Sequence, residues 1–168
     1  QGLTGATDAQ AERGAPPAMV RSIIYDKVTA LMAAQSITAA LLARERGAGG
    51  QHVRVSMLDV GLYFNWPDLM WNYSFLGPNV EYAGDLADNY AVNQTADGAI
   101  VSHHLGADTS PYTTAQLLEI LSHNDIPVGR ANKRDEVCDD PQVLANGMLE
   151  ISDHPRGGAM RLPKPPAR

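Results

Sequence analysis

The segment from Lys27 to Glu45, KVTALMAAQSITAALLARE, constrains the fold of this chain more than any other. It contains neither Gly nor Pro and is dominated by Ala, Leu and Met, side chains that lose little on entering a helix. It predicts one long helix. Ala30, Ala33, Ala34, Ala39, Ala40 and Ala43 fall on every face of it, so the helix is expected to pack closely on more than one side. Arg44 and Arg46 complement the negative end of the helix dipole, and Gly47, Gly49 and Gly50 end the helix. Just ahead of it, Ser22 to Tyr25 is an apolar run that reads as a short buried strand or an extended lead-in. Between run and helix stands one carboxylate, Asp26. As an N-cap it would accept hydrogen bonds from the amides of Val28 or Thr29. A carboxylate at a helix N-terminus is equally suited to attack an activated acyl group. Position alone leaves both roles open.

Beyond the glycines, QHVRVSM alternates Val53, Val55 and Met57 against His52, Arg54 and Ser56, the period of a strand. Ser56 and Asp59 have the spacing of a capping box for a second helix, LDVGLYFNWPDLMWNYSF, which Pro67 should kink or split. Its aromatic residues, Trp66 and Trp71 among them, read as a core-facing stripe, with a substrate-facing aromatic wall as the alternative. Strand, helix, strand, helix in that order predicts an α/β layer with parallel strands. After Phe75 the composition shifts to the turn-rich LGPNVEYAGDLADN, a linker or an active-site loop that carries Asp85 and Asp88. NYAVNQTADGAIVSHH predicts a β-hairpin turning at Asp97-Gly98. TTAQLLEILSHND predicts a Thr-capped amphipathic helix, and IPVGRAN a short strand after it. Residues 134–146 predict a short helix starting near Asp135 and interrupted around Pro141. The tail, SDHPRGGAMRLPKPPAR, reads as an extended basic segment that needs a surface to lie on. The shifts in composition thus divide the chain into a stretch over 1–76, a linker or active-site loop over 77–89, a stretch over 90–150 and an extended tail over 151–168.

Composition closes off several classes of function. With 44% hydrophobic residues in 168, the chain has the make-up of a soluble globular protein, and no apolar run reaches the roughly 20 residues of a membrane span. The net charge of −6 argues against nucleic acid as the main partner, since counterion release needs clustered Lys and Arg. A single cysteine, Cys138, excludes an internal disulfide and fits a reducing, cytoplasmic setting. No metal site is expected. His103 and His104 are adjacent and would point to opposite faces of a strand, and the other histidines lack ligand spacing.

The stretch from Asp26 to Asp59 resembles the family III CoA-transferases, the superfamily of formyl-CoA transferase, carnitine CoA-transferase and α-methylacyl-CoA racemase. The shared pattern is an Asp opening an Ala/Leu-rich helix, then ALLARERGAGGQ, then VRVSMLD, with QGLTGA upstream and QTADGAI, NDIPVGRANKRDEVCDDPQVLANGM and DHPRGGAMRLPKPPAR downstream. The resemblance implies an α/β chain in the interlocked-dimer fold of that family: 1–76 part of a Rossmann-like, CoA-binding large domain, 77–89 the linker or active-site loop, 90–150 a small α+β domain and 151–168 an extended segment returning to the large domain. It aligns Asp26 with the catalytic aspartate, Met57 with a residue near the CoA site, and the loop of Asp85 and Asp88 with a mobile segment over the active site. Here that loop is not a glycine run. The implied chemistry moves CoA between carboxylic acids through an aspartyl-acyl anhydride and an aspartyl-CoA thioester. An acyl-CoA and a carboxylic acid would be substrates, with no permanently bound cofactor and a homodimer as the working form. Two alternatives remain: a racemase using the same aspartate as proton shuttle, or a non-catalytic paralogue. Relatives are longer, so the chain is expected to be N-terminally truncated or incomplete.

Overall fold

A computed structural model describes residues 1–11 and 14–167, which divide into two compact units, Gln1–Asp88 and Asn89–Arg168. In the first unit a 3-10 turn, Gly2–Thr4, leads into a short helix, α1 (Ala6–Ala9). The long helix, α2, runs over Ile24–Ala43 and loosens into a wider turn over Arg44–Ala48. Gly47, at φ 92°, ends it in a conformation that only Gly adopts cheaply. The following helix, α3 (Met57–Leu69), is capped by Ser56, whose Oγ accepts from the amide of Asp59 at 3.0 Å. It continues past Pro67 only as far as Leu69, and a separate 3-10 turn, Trp71–Tyr73, follows. Helices α2 and α3 pack on each other.

Three expectations for this unit are corrected. Helix α2 already begins at Ile24, so the apolar run before Asp26 is its first turn and not a strand. Residues 51–56 form no strand either. Ser56 has extended dihedrals (φ −113°, ψ 144°), but a strand exists only through a ladder partner. Among the described residues of this unit there is no strand to pair with, so no parallel layer is formed here. Finally, Trp66 and Trp71 are 44% and 40% exposed and do not form a core stripe.

In the second unit β1 (Tyr90–Gln94) and β2 (Ala99–His103) form the expected hairpin, in the register Tyr90↔His103 to Gln94↔Ala99. Strand β3 (Val128–Arg130) adds antiparallel to the other side of β2, giving the order β1-β2-β3. Helix α4 (Thr114–His123) has the expected Thr cap, Thr113, which with Gln116 forms a full capping box. Ile100 from β2 with Leu117 and Leu121 from α4 make the core, closed by Leu105, Leu118, Ile126 and Val128. Pro141 opens a short helix, α5 (Pro141–Ala145), instead of interrupting one, because a proline at the first helical position loses no hydrogen bond. The tail is a second hairpin, β4 (Leu149–His154) with β5 (Gly158–Pro163), and not a lone extended segment. The His154 ring closes its turn, Nδ1 accepting from the amides of Arg156 and Gly157.

The first hairpin is locked to α4 through Asp97. Its Oδ1 accepts from the Thr114 amide at 2.7 Å, from the Thr114 hydroxyl at 2.8 Å and from the Thr95 hydroxyl at 3.1 Å. The backbone bond from Thr114 is the main reason the Asp97 carboxyl titrates below its ordinary value, with the Thr114 hydroxyl next. A depressed carboxyl stabilises the fold above the pKa of the unfolded chain, and that contribution is lost as pH falls through the folded value. Asp97→Ala is therefore expected to lower the thermal midpoint of this unit at pH 7. In melting curves taken from pH 7 to pH 2, the gap between wild type and variant should narrow below the ordinary carboxylate range.

Candidate active site

Asp26 is the third residue of α2, in the first turn. The N-cap position belongs to Ile23, which offers no side-chain hydrogen bond, so the capping role predicted for Asp26 is not the one it plays. The chain simply enters the helix earlier than a cap at Asp26 requires. Its side chain is 59% exposed, and the Lys27 ammonium lies 3.4 Å from Oδ2. The partial positive charge of a helix N-terminus favours an anionic group in this turn.

What fixes the turn is the residue before it. Tyr25 is the one buried residue of α2. Its ring lies against Gly61 of α3, where an added Cβ would come within 3.2 Å of Tyr25 Cδ1 and 3.0 Å of Thr4 Cγ2. The phenol hydroxyl is held by Asn65 Nδ2, which also donates to Thr4 Oγ1 at 3.2 Å. Thr4 Oγ1 is in turn 3.2 Å from the phenol and 3.0 Å from the Gln1 carbonyl. Thr29 Oγ1 donates back to the Tyr25 carbonyl at 2.6 Å. Burial of Thr4, Tyr25 and Asn65 would be costly without these bonds.

Met57 is the first residue of α3 and is exposed, so Asp26 and Met57 stand at the starts of two helices that pack together. Asp85 and Asp88 share one turn: the Asp88 amide, inside the 3-10 turn Leu86–Asn89, donates to the carbonyl of Asp85 just before it, at 3.1 Å. The Tyr82 hydroxyl donates to Asp85 Oδ1 at 2.6 Å. Asn72 clasps the same loop, donating to the Gly84 carbonyl at 2.6 Å and accepting from the Ala83 amide at 3.1 Å. Among the described residues no group of three or more His, Cys, Asp or Glu could hold a metal ion. Among the described residues no helix is long and apolar enough to cross a membrane. Tyr82, Asn72, Tyr25, Thr4 and Asn65 were not marked by the sequence. The available signal was Asn65, a lone amide inside the apolar GLYFNWP.

The model of CoA-transferase family III matches residues 1–109 and 78–168, and the chain belongs to that family. Two solved structures of Rv3272 from Mycobacterium tuberculosis have this fold. The orthorhombic form has a TM-score of 0.74 at 18% identity, covering 99% of this chain and 55% of that one. The other, described as a hypothetical protein, has a TM-score of 0.74 at 20% identity, covering 99% and 54%. A CAIB/BAIF family protein from Brucella suis gives 0.72 at 21% identity, covering 100% of this chain and 54% of its own. The chain thus spans about half the length of these proteins. None of the curated proteins compared with it matches.

Proposed function

We propose that this chain carries the nucleophile of a CoA transfer between carboxylic acids, and that the nucleophile is Asp26. The observation that carries the reading is a carboxylate in the first turn of α2 that is exposed and is not spent on capping. In the first step a carboxylate oxygen of Asp26 bonds to the acyl carbon of the donor thioester, and the C–S bond breaks to release CoA thiolate. The thiolate then attacks the Asp26 carbonyl carbon, releasing the donor acid and leaving an aspartyl-CoA thioester. The acceptor carboxylate attacks that thioester, freeing the thiolate again and forming a second anhydride. Attack of the thiolate on the acceptor's acyl carbon gives the new acyl-CoA and restores the Asp26 carboxylate. Each step trades one acyl bond for another of similar energy. Met57 and the clasped loop of Asp85 and Asp88 are proposed to line the CoA and acid sites. The working form is proposed to be a cytoplasmic homodimer, with CoA entering as substrate and not as a resident group.

The test uses the protein with acetyl-, propionyl- and succinyl-CoA in turn, quenched with hydroxylamine and read by peptide mass spectrometry. A hydroxamate on Asp26, absent from Asp26→Ala, is the expected result. An unmodified Asp26 with every donor would overturn the reading.

A further inference from the structure

The structure assigns to Tyr25, with Asn65 and Thr4, the role of positioning the Asp26 carboxylate: a buried hydrogen-bonded knot substitutes for the missing cap of α2. The inference rests on the proposed role of Asp26 and adds to it the residues that hold that carboxylate in place. Helices α3, α4 and α5 each have a side-chain N-cap, from Ser56, Thr113 and Asp140. Helix α2 has none, and the bond from the Lys27 amide to the Ile23 carbonyl that closes its first turn is long, at 3.5 Å. An uncapped turn with a weak closing bond is expected to fray, and any side chain in it then samples many directions. That is a poor setting for a nucleophile, because reactive geometry is needed to within a fraction of an ångström.

Tyr25 removes the freedom. Successive residues in a helix are about 100° apart around the axis, so fixing the Tyr25 side chain fixes the direction in which Asp26 leaves the helix. Asn65 is set in the middle of α3, a rigid element, and is only 7% exposed. Its amide reaches both hydroxyls of the knot, and Gly61 one turn earlier gives the ring its place. The Thr29 hydroxyl, bonded to the Tyr25 carbonyl, ties the same residue from the C-terminal side. Tyr25 thus faces inward and is held at its ring, its hydroxyl and its carbonyl, while its neighbour Asp26 faces out.

The test compares wild type, Tyr25→Phe and Asn65→Leu by two readouts. Hydrogen exchange of the peptide spanning residues 24–28 reports the turn without any acyl donor. The hydroxylamine-trapped burst on Asp26, across a range of succinyl-CoA concentrations, separates the acylation rate from the concentration for half-saturation. Tyr25→Phe keeps the ring and loses only the hydroxyl, so it is expected to fold. It should speed exchange in 24–28 and slow acylation about tenfold to a hundredfold, with half-saturation changed less than about twofold. Ile100→Val, mildly destabilising in the other unit, should leave the burst rate unchanged. Unchanged exchange in 24–28 for both knot variants would overturn the inference, and so would faster exchange with an unchanged acylation rate. If the wild type acylates with none of the donors, the transferase reading fails on that result alone, and the exchange data then decide whether the knot holds the turn.

Discussion

Asp26→Asn is expected to abolish acyl-CoA-dependent transfer while lowering the stability of the fold only slightly. Loss of an activated nucleophile removes an entire covalent route, and an effect of at least about 10³-fold on kcat is the scale for such a group. The stability side of the expectation comes from where Asp26 sits. It caps nothing, and the Lys27 pair at 3.4 Å is between two exposed groups. Such pairs contribute little because water screens them. Loss of a negative charge from the first turn of α2 is the other cost, of about 0.5 kcal/mol at this exposure. Turnover with each acyl-CoA and a thermal melt on the same sample check the two halves together. A large fall in the melting midpoint would mean that Asp26 is structural after all, and retained turnover would remove it as nucleophile.

Ile100→Ala should have the largest effect on stability. Ile100, the second residue of β2, is 0% exposed and is paired with Asn93 on one side and Arg130 on the other. Its side chain enters the only cluster of buried apolar residues found among the described ones, against Leu117 and Leu121. Truncation removes buried methyl groups and leaves a cavity that a capped helix and a three-stranded sheet cannot easily collapse into, so the cost is about 3 kcal/mol. For a unit of this size that is a fall of roughly 12–24 °C in the midpoint, readable by far-UV circular dichroism. Val101 is the internal control. It is the next residue on the same strand, points to the opposite face and is 43% exposed, so Val101→Ala should cost under about 1 kcal/mol.

The second unit was legible in the sequence because its signals are local. Asp97-Gly98 sets the hairpin, Thr113 and Gln116 set the start of α4, and the spacing of Leu117 and Leu121 sets its buried face. The last hairpin was missed because its strands are almost wholly exposed, and the alternation of Leu149 with Ile151 and of Met160 with Leu162 is too short to stand out beside the Pro and Gly of the tail. In the first unit the long helix was evident from its composition, but its start was not. Ile24 and Tyr25 look like a strand by propensity, and the tie from Tyr25 to Asn65, forty residues away, outweighs that preference. The alternation of Val53 and Val55 was a true period-two pattern that lacks a ladder, which no local pattern can supply. For the candidate site, the sequence singled out the carboxylate and overlooked Tyr25 and Asn65, since a tyrosine in an apolar run and an asparagine in a helix draw no notice until they are seen buried together.

Both tryptophans of the chain, Trp66 and Trp71, belong to the first unit, and the Trp66 indole N–H donates to the Ser74 hydroxyl at 3.0 Å. Intrinsic emission excited at the red edge therefore reports the helical unit alone. Should the Ile100 core melt apart from the helical unit, a denaturation curve followed only by indole fluorescence would miss that transition and report a stability belonging to half of the chain.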